Sequence, residues 1–538
     1  MEKFTINNFR LFDSELEFET PPITILTGKN NSGKSSFVKA LLLFDDYISS
    51  SNQLFIDFTG NKLSKHKINS FDNAKNWDKG SSFSFTQNIN DLIECSYQFV
   101  KHKKTNARLK KFQLTVINSK LFIKFEYAKS SEGDYKITYS KDIIEYASLS
   151  ERIKYLESNI NFREKKIKRS IADPSLEEKD GIKLSSDNTY EANIRLGREI
   201  EQFEKELAIK KDSVNKLLKK GGTIKYDFII DSDQNKRRSI TKTLLDLVAS
   251  NILDDFASRT VEDKIEKESN KLKKINKSAT FIAPDSYIPV FSLFFDSNNI
   301  KIHHLSPNRT RQERLYIKNH ENTEIETEIA KFEKTPQITE FIQIWLEIFK
   351  IGEDINIRDI DGIASMVLIS ENKKIVNLVD LGFGTGQILT ILLKIANTIN
   401  EIGIAGKNIR NIRRLKNKGL HIIIIEEPEA NLHPALQSYL AYLFIEVYKE
   451  YGIRFIIETH SEYFIRNLQL LVAETHFNFE KNEAIIYYMS NTKNEERVKK
   501  ISINKDGSLT DKFGAGFLDE ATKKALSLME IKNNNRKI

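Results

Sequence analysis

Residues 23–47 read ITILTGKNNSGKSSFVKALLLFDDY: an apolar run, a loop bracketed by Gly28 and Gly33, and a segment with helical spacing. The loop fits G-x-x-x-x-G-K-S/T, and it stands where such a loop works, after a buried strand and before a helix. Two glycines let the backbone curl so that successive N–H groups face an anion at the helix N-terminus. Lys34 adds a point charge for the terminal phosphate oxygens, and the Ser35 hydroxyl is placed to ligate magnesium. Gly28, Lys29, Asn30, Asn31, Ser32, Gly33, Lys34, Ser35 and Ser36 are therefore expected to hold a nucleotide, with ATP and Mg2+ as the bound species.

The surroundings of this unit set outer bounds. With 538 residues, 40% of them hydrophobic, the chain can bury a large core and form several structural units. Its 83 Lys and Arg against 75 Asp and Glu give +8, an excess that permits nucleic-acid contact but is ordinary for a solvated surface. Cys95 is the single cysteine, which excludes an intramolecular disulfide and a Cys-based zinc cluster and suits a reducing cytoplasm. The opening MEKFTINNFRLFDSELEF alternates apolar and polar residues, as a strand does and a signal peptide does not. No window approaches the roughly 20 apolar residues of a membrane span, so no membrane contact is expected.

Outward from the loop, short alternating segments such as SSFSFTQNI and KFQLTVI over 48–140 predict an antiparallel β subdomain. Residues 141–172 and 190–220 are highly charged with helical apolar spacing, and they predict an antiparallel two-helix arm in preference to a long coiled coil. A further helix is expected over 238–275, with the chain returning to strand and loop from 281. Downstream, strand, helix, strand, helix implies a parallel sheet. The expected division is 1–140 (N-terminal lobe with the loop and β subdomain), 141–280 (inserted arm), 281–475 (C-terminal lobe) and 476–538 (a strand and helix cap). The fold class is α/β, a phosphate-loop core with a flanking β subdomain and an inserted helical arm.

Three further stretches carry chemistry. HIIIIEEPEANLHP (421–434) is a strand buried on both faces that ends in Glu426 and Glu427, a candidate metal ligand and a candidate base. RFIIETHSEYFI (454–465) is a second buried strand ending in Glu458, Thr459 and His460, with Ser461 capping the next helix. LGFGTGQILTILL (381–393) is a Gly-rich turn opening a helix, and Gly384, Thr385, Gly386 and Gln387 form its first turn.

With these elements in order, the chain resembles bacterial ABC-type AAA ATPases of the SMC and OLD lineage over residues 1–47 and about 301–520. The resemblance implies Mg-dependent ATP hydrolysis, with Glu426 at the magnesium, Glu427 polarising the attacking water and His460 contacting the γ-phosphate. It also makes Gly384–Gln387 a signature segment that receives the γ-phosphate of nucleotide held by a second copy. An ATP-dependent homodimer, or a higher oligomer built from it, follows. The usual signature serine is absent, and Glu426 stands where Asp is usual. Lys34 and Gly384 lie 350 positions apart, far more than in a transporter subunit. HHLSPNRTRQERLY, GFGTGQILTILL, IIEEPEANLHP and FIIETHSEYFI are together closer to ATPases of phage-defence operons, Septu-type systems included. Gly516, Phe517, Asp519 and Glu520 match a C-terminal segment of some of those proteins.

OLD nucleases add a Toprim domain with a D-x-D pair, and none follows His460, so intrinsic nuclease activity is not expected. The resemblance implies an effector protein, a nuclease or toxin, from the same operon. It also suggests a DNA ligand, with Lys and Arg of 153–220 and 264–277 as phosphate contacts. Two alternatives stand beside this reading: a slowly hydrolysing scaffold for a toxic partner, and an SMC-like DNA-repair ATPase. Arg309, Arg311 and Arg314 are candidates either for phosphate or for carboxylates of the fold. His303 and His304 lack metal spacing and are read as structural. Gln53, Gln87 and Gln98 compete for the glutamine that such enzymes place near magnesium.

Overall fold

Four consecutive isoleucines, Ile422–Ile425, divide between two cores: Ile422 and Ile424 face one, Ile423 and Ile425 the other. A strand covered on both faces needs no alternation, hence the uninterrupted run. The computed structural model describes residues 3–230 and 300–535, apart from 59–65, 129–134, 173–185, 220–224, 404–419, 475–482 and shorter loop gaps. The expected helix over 238–275 and residues 281–299 lie outside the described residues, as do Gly516 and Asp519.

In chain order, β1 (Lys3–Asn7), β2 (Leu16–Glu19) and β3 (Ile23–Gly28) lead into α1 (Lys34–Ser49). A meander follows: β4 (Phe55–Asp57), β5 (Ser82–Asn90), β6 (Ile93–Lys103), β7 (Asn106–Val116), β8 (Phe122–Tyr127) and β9 (Tyr135–Ser140). The arm is α2 (Asp142–Ala172) and α3 (Ser186–Lys219), after which β10 (Lys225–Ile230) returns to the meander. The second half opens with β11 (Ile300–Leu305), β12 (Tyr316–Ile317), α4 (Glu324–Lys331), α5 (Pro336–Ile348), β13 (Asp354–Ile360), β14 (Ala364–Glu371) and β15 (Lys374–Asn377). It continues through α6 (Phe383–Ile402), β16 (Leu420–Glu426), α7 (Pro434–Tyr451), β17 (Arg454–Glu458) and α8 (Glu462–Ala473). β18 (Ala484–Met489), β19 (Val498–Ser502) and α9 (Glu520–Asn535) close the described chain.

The central sheet runs β11-β16-β17-β3-β18-β19, parallel except for the last pair. Its middle strand is the loop-bearing β3, and its neighbours come from residues beyond 450. The strands expected in a C-terminal cap are therefore part of this sheet: β18 pairs along β3, with Met489 opposite Gly28. One face is covered by α1 and, beyond it, the antiparallel sheet β10-β9-β8-β7-β6-β5-β1-β2, whose alternating strands aim Phe4, Phe85, Tyr97 and Phe99 at Phe44 and Tyr47 of α1. Each such aromatic, fully buried, contributes about 2–3 kcal/mol. Helices α5 to α8 cover the other face. β10 pairs with β9, so the inserted arm ends with α3 and the chain rejoins the β subdomain by Lys225.

The arm is an antiparallel hairpin, as its charge pattern and spacing predict. Arg163 of α2 meets Glu199 of α3 at 2.8 Å and lies over the Phe203 ring, while Glu157 meets Lys211 at 2.8 Å. With 31 and 34 residues, the helices extend about 45–50 Å. Ile143, Tyr146 and Leu217 root the hairpin in the core. Among the described residues, no helix is long and apolar enough to cross a membrane.

Candidate active site

The loop between β3 and α1 is shaped by positions that only glycine fills easily. Gly28 has φ +127°, and a Cβ there would sit 2.0 Å from the Met489 carbonyl oxygen. Gly33 has φ +122° with the Phe12 ring 2.9 Å from the same imagined atom. Met489 O accepts from Lys29 N at 3.2 Å, and Asn491 Nδ2 donates to Asn30 O at 3.3 Å, so the segment after β18 braces the loop.

A cavity of about 760 Å³ opens over this loop, lined by Asn30 to Ser36 together with Arg10, Leu11, Trp77, Glu427, Glu458 and His460. Two residues that the sequence places more than 390 positions from Lys34, Glu427 and His460, thus share one cavity with it. Lys34 is 5% exposed, and its Nζ donates to the carbonyls of Gly28 (3.2 Å) and Lys29 (2.9 Å). Burial lowers its pKa, while Glu458 and Glu427 counter the fall. Ser32 Oγ is buried without a hydrogen-bond partner. A buried cation and an orphaned hydroxyl at a helix N-terminus are groups that phosphate oxygens satisfy.

Glu427 closes the acidic strand in a left-handed conformation, φ +46°. For a non-glycine residue this costs of order 1 kcal/mol and persists only where neighbours enforce it. They do: Glu427 N donates to Glu458 O at 2.7 Å, and Glu427 O accepts from Arg309 Nη2 at 2.5 Å. Arg309 also donates through Nη1 to Glu426 O (2.7 Å) and Ser306 O (2.8 Å), and its side chain is fully buried. Arg309 therefore holds the backbone of the acidic turn and does not reach the cavity. Arg314 pairs with Asp380 and Arg311 with Glu313, so of the two open readings for the arginines the structure brings all three to partners within the fold.

Glu426, expected at the magnesium, does not line the cavity: its carboxylate meets His304 Nε2 at 2.7 Å. The carboxylate beside Ser35 is Glu458, each of its oxygens 3.4 Å from Ser35 Oγ. The reason is strand order, because β17 lies between β16 and β3 and carries Glu458 to the loop. Burial first, and then the charge of Glu426, push the Glu458 carboxyl up to about 7. A carboxyl whose folded pKa exceeds its unfolded 4.5 adds stability that is present below that value and lost as pH rises through 7. Glu458→Gln should therefore stabilise the chain at pH 8, with the gain fading toward pH 4.5; thermal unfolding in chelator across this range reads it, and a pH-independent difference would refute it.

His460 sits at the cavity with its backbone N–H donating to Glu429 Oε1 at 2.7 Å. Burial, and then Lys34, lower its pKa, so the imidazole is neutral at pH 7. Gly384, Thr385, Gly386 and Gln387 open α6 behind its cap Gly382 and line no part of this cavity. A Cβ at Gly384 would come 2.8 Å from Asn431 O, and one at Gly386 would come 2.9 Å from Thr310 Oγ1. Both glycines thus let α6 approach the acidic turn and the Arg309 loop. Gln53, Gln87 and Gln98 also lie outside the cavity.

His303, read as lacking metal spacing, meets His421 from the neighbouring strand, Nε2 to Nδ1 at 3.1 Å, with Glu401 3.9 Å away. The ring centroids are 5.4 Å apart and the planes 12° apart, so the two nitrogens face each other head-on, as a shared N–H···N bond requires.

The family model described as "AAA ATPase domain" matches residues 1–465. No curated protein matches the chain. Among solved structures, the chain is similar to the Smc head domain with an extended coiled coil, bound to the C-terminal domain of ScpA, from Pyrococcus furiosus (11% identity, 99% of each chain covered, TM-score 0.34). It is also similar to the Smc head domain with a coiled coil and joint from Pyrococcus yayanosii (11%, 94% and 97%, TM-score 0.31). The SMC head domain from Thermotoga maritima is a third (9%, 91% and 95%, TM-score 0.30).

Proposed function

The chain belongs to the AAA ATPase domain family, and on that premise we propose that it binds and hydrolyses ATP at the cavity over the Gly28–Ser35 loop. The convergence of Lys34, Ser35, Glu427 and His460 on one cavity carries this reading. Loop N–H groups and Lys34 hold the phosphates; Ser35, with Glu458 beside it, holds the magnesium. That ion, when bound, neutralises charge on the phosphate oxygens. Glu427 orients and deprotonates the attacking water, and His460, neutral and hydrogen-bond competent, contacts the terminal phosphate.

Because Gly384–Gln387 stand outside the cavity of their own chain, they are available to the cavity of a second copy, and we read the working form as an ATP-bound homodimer. Phosphate release by the full chain with Mg-ATP, and light scattering with and without nucleotide, test this. Hydrolysis with a nucleotide-dependent doubling of mass is expected; hydrolysis by a constant monomer would remove the dimer, and no nucleotide binding would remove the whole reading. A role as sensor or motor in antiphage defence, acting with an operon-encoded effector, rests on the sequence resemblance. Loss of protection against phage when an adjacent gene is deleted supports it. The absence of the usual signature serine, with Gly384 or Thr385 nearest its place, favours a second reading, a slowly turning nucleotide-gated scaffold.

A further inference from the structure

The chain has two tryptophans, and they are used in opposite ways. Trp345 is 5% exposed and packs against Phe349 and Tyr442. Trp77 is 56% exposed, yet it lines the cavity of the phosphate loop. Leaving a large apolar ring in solvent forgoes about 1–2 kcal/mol of burial, which a bound partner can recover.

The turn that presents Trp77 is fixed. Asn76 N donates to Asn8 O at 2.7 Å, Asn76 Nδ2 to Arg10 O at 2.7 Å, and Asp78 N to Asn76 Oδ1 at 3.1 Å. Arg10 N donates in return to Ala74 O at 2.9 Å. An anchored backbone thus holds an exposed indole at the cavity, with Leu11 as the other apolar lining residue. The remaining lining, Asn30 to Ser36, Arg10, Glu427, Glu458 and His460, is polar or glycine and suited to phosphates and metal. At about 760 Å³, the cavity has the size of sites that take a whole small ligand, more than a phosphate chain alone.

We propose that Trp77 stacks on the purine base of the nucleotide whose phosphates the loop holds. The inference rests on the nucleotide reading above and adds the group that recognises the base. Stacking uses a π-face that every base has, so Trp77 gives affinity for a nucleoside over bare polyphosphate and little choice among bases.

Calorimetric titration of the full chain with Mg-ATP and with magnesium tripolyphosphate tests it. Trp77→Ala should weaken ATP binding about 5- to 150-fold and leave tripolyphosphate unchanged. Trp77→Phe should keep most of the ATP affinity. In Trp345→Phe, where Trp77 is the sole indole, ATP should change the fluorescence and tripolyphosphate should not. ATP binding by Trp77→Ala at the wild-type affinity overturns the stacking alone, as does an equal loss for both ligands. Wild-type protein that binds neither ligand overturns the nucleotide reading and the stacking together.

Discussion

Glu427→Gln should release phosphate from ATP about 10²- to 10⁴-fold more slowly than the wild type, while nucleotide-bound dimers accumulate. The substitution keeps the side chain's size and leaves untouched the backbone bonds that Glu427 makes to Glu458 and Arg309. What it removes is the proton acceptor. On the proposed reading the phosphates are held by the N–H groups of the loop between β3 and α1 and by Lys34, none of which the substitution alters, so ATP affinity should survive. A slow chemical step with intact binding traps the closed assembly, and single-turnover kinetics with light scattering read both halves. Normal turnover in Glu427→Gln would assign the base elsewhere, with Glu458 the next candidate because it shares the cavity.

The largest loss of stability is expected for Arg309→Ala, about 3–5 kcal/mol. The guanidinium donates to the carbonyls of Ser306, Glu426 and Glu427, and its removal leaves those acceptors in the interior. It also strips the counter-charge from Glu324, Glu429, Glu427 and Glu426. Burial lowers the arginine to about 10, so it remains a cation at neutral pH and the loss is that of a charge. Arg309→Lys should rescue little, since one ammonium cannot reproduce a planar fork spanning three carbonyls. Denaturant unfolding measures the effect, and phosphate release should fall with it because Glu427 loses the restraint on its left-handed backbone. Unchanged unfolding and unchanged turnover in Arg309→Ala would show that the acidic turn holds itself.

The loop, the two buried strands and the arm were legible because their signals are local: glycine spacing, apolar runs and helical periodicity all act within about 20 residues. Strand order is not local. Nothing in RFIIETH states that its strand lies between β3 and β16, and so the acid beside Ser35 is Glu458 where the run of isoleucines pointed to Glu426. Arg309 was ambiguous for the same reason, its carbonyl partners in the acidic turn lying 117 and 118 positions away. The meeting of His303 with His421 likewise depends on the edge strand β11 lying beside β16. Burial and register decide these contacts, and single-sequence spacing carries neither.

The place of β3 in the middle of the central sheet has a consequence for the order in which the molecule can be made. Its partners on either side, β17 and β18, are translated about 430 to 460 residues after it. At about 5–20 residues per second, the finished loop strand waits roughly 20–90 s for the backbone that will pair with it. During that interval ITILTG is an unpaired apolar strand, the kind of segment that aggregates or recruits a chaperone. The antiparallel sheet of β5 to β9, built from adjacent hairpins, can form well before then and give α1 a surface to dock on. Nucleotide binding should accordingly arise late and all at once on the ribosome, when the last strands enter the sheet.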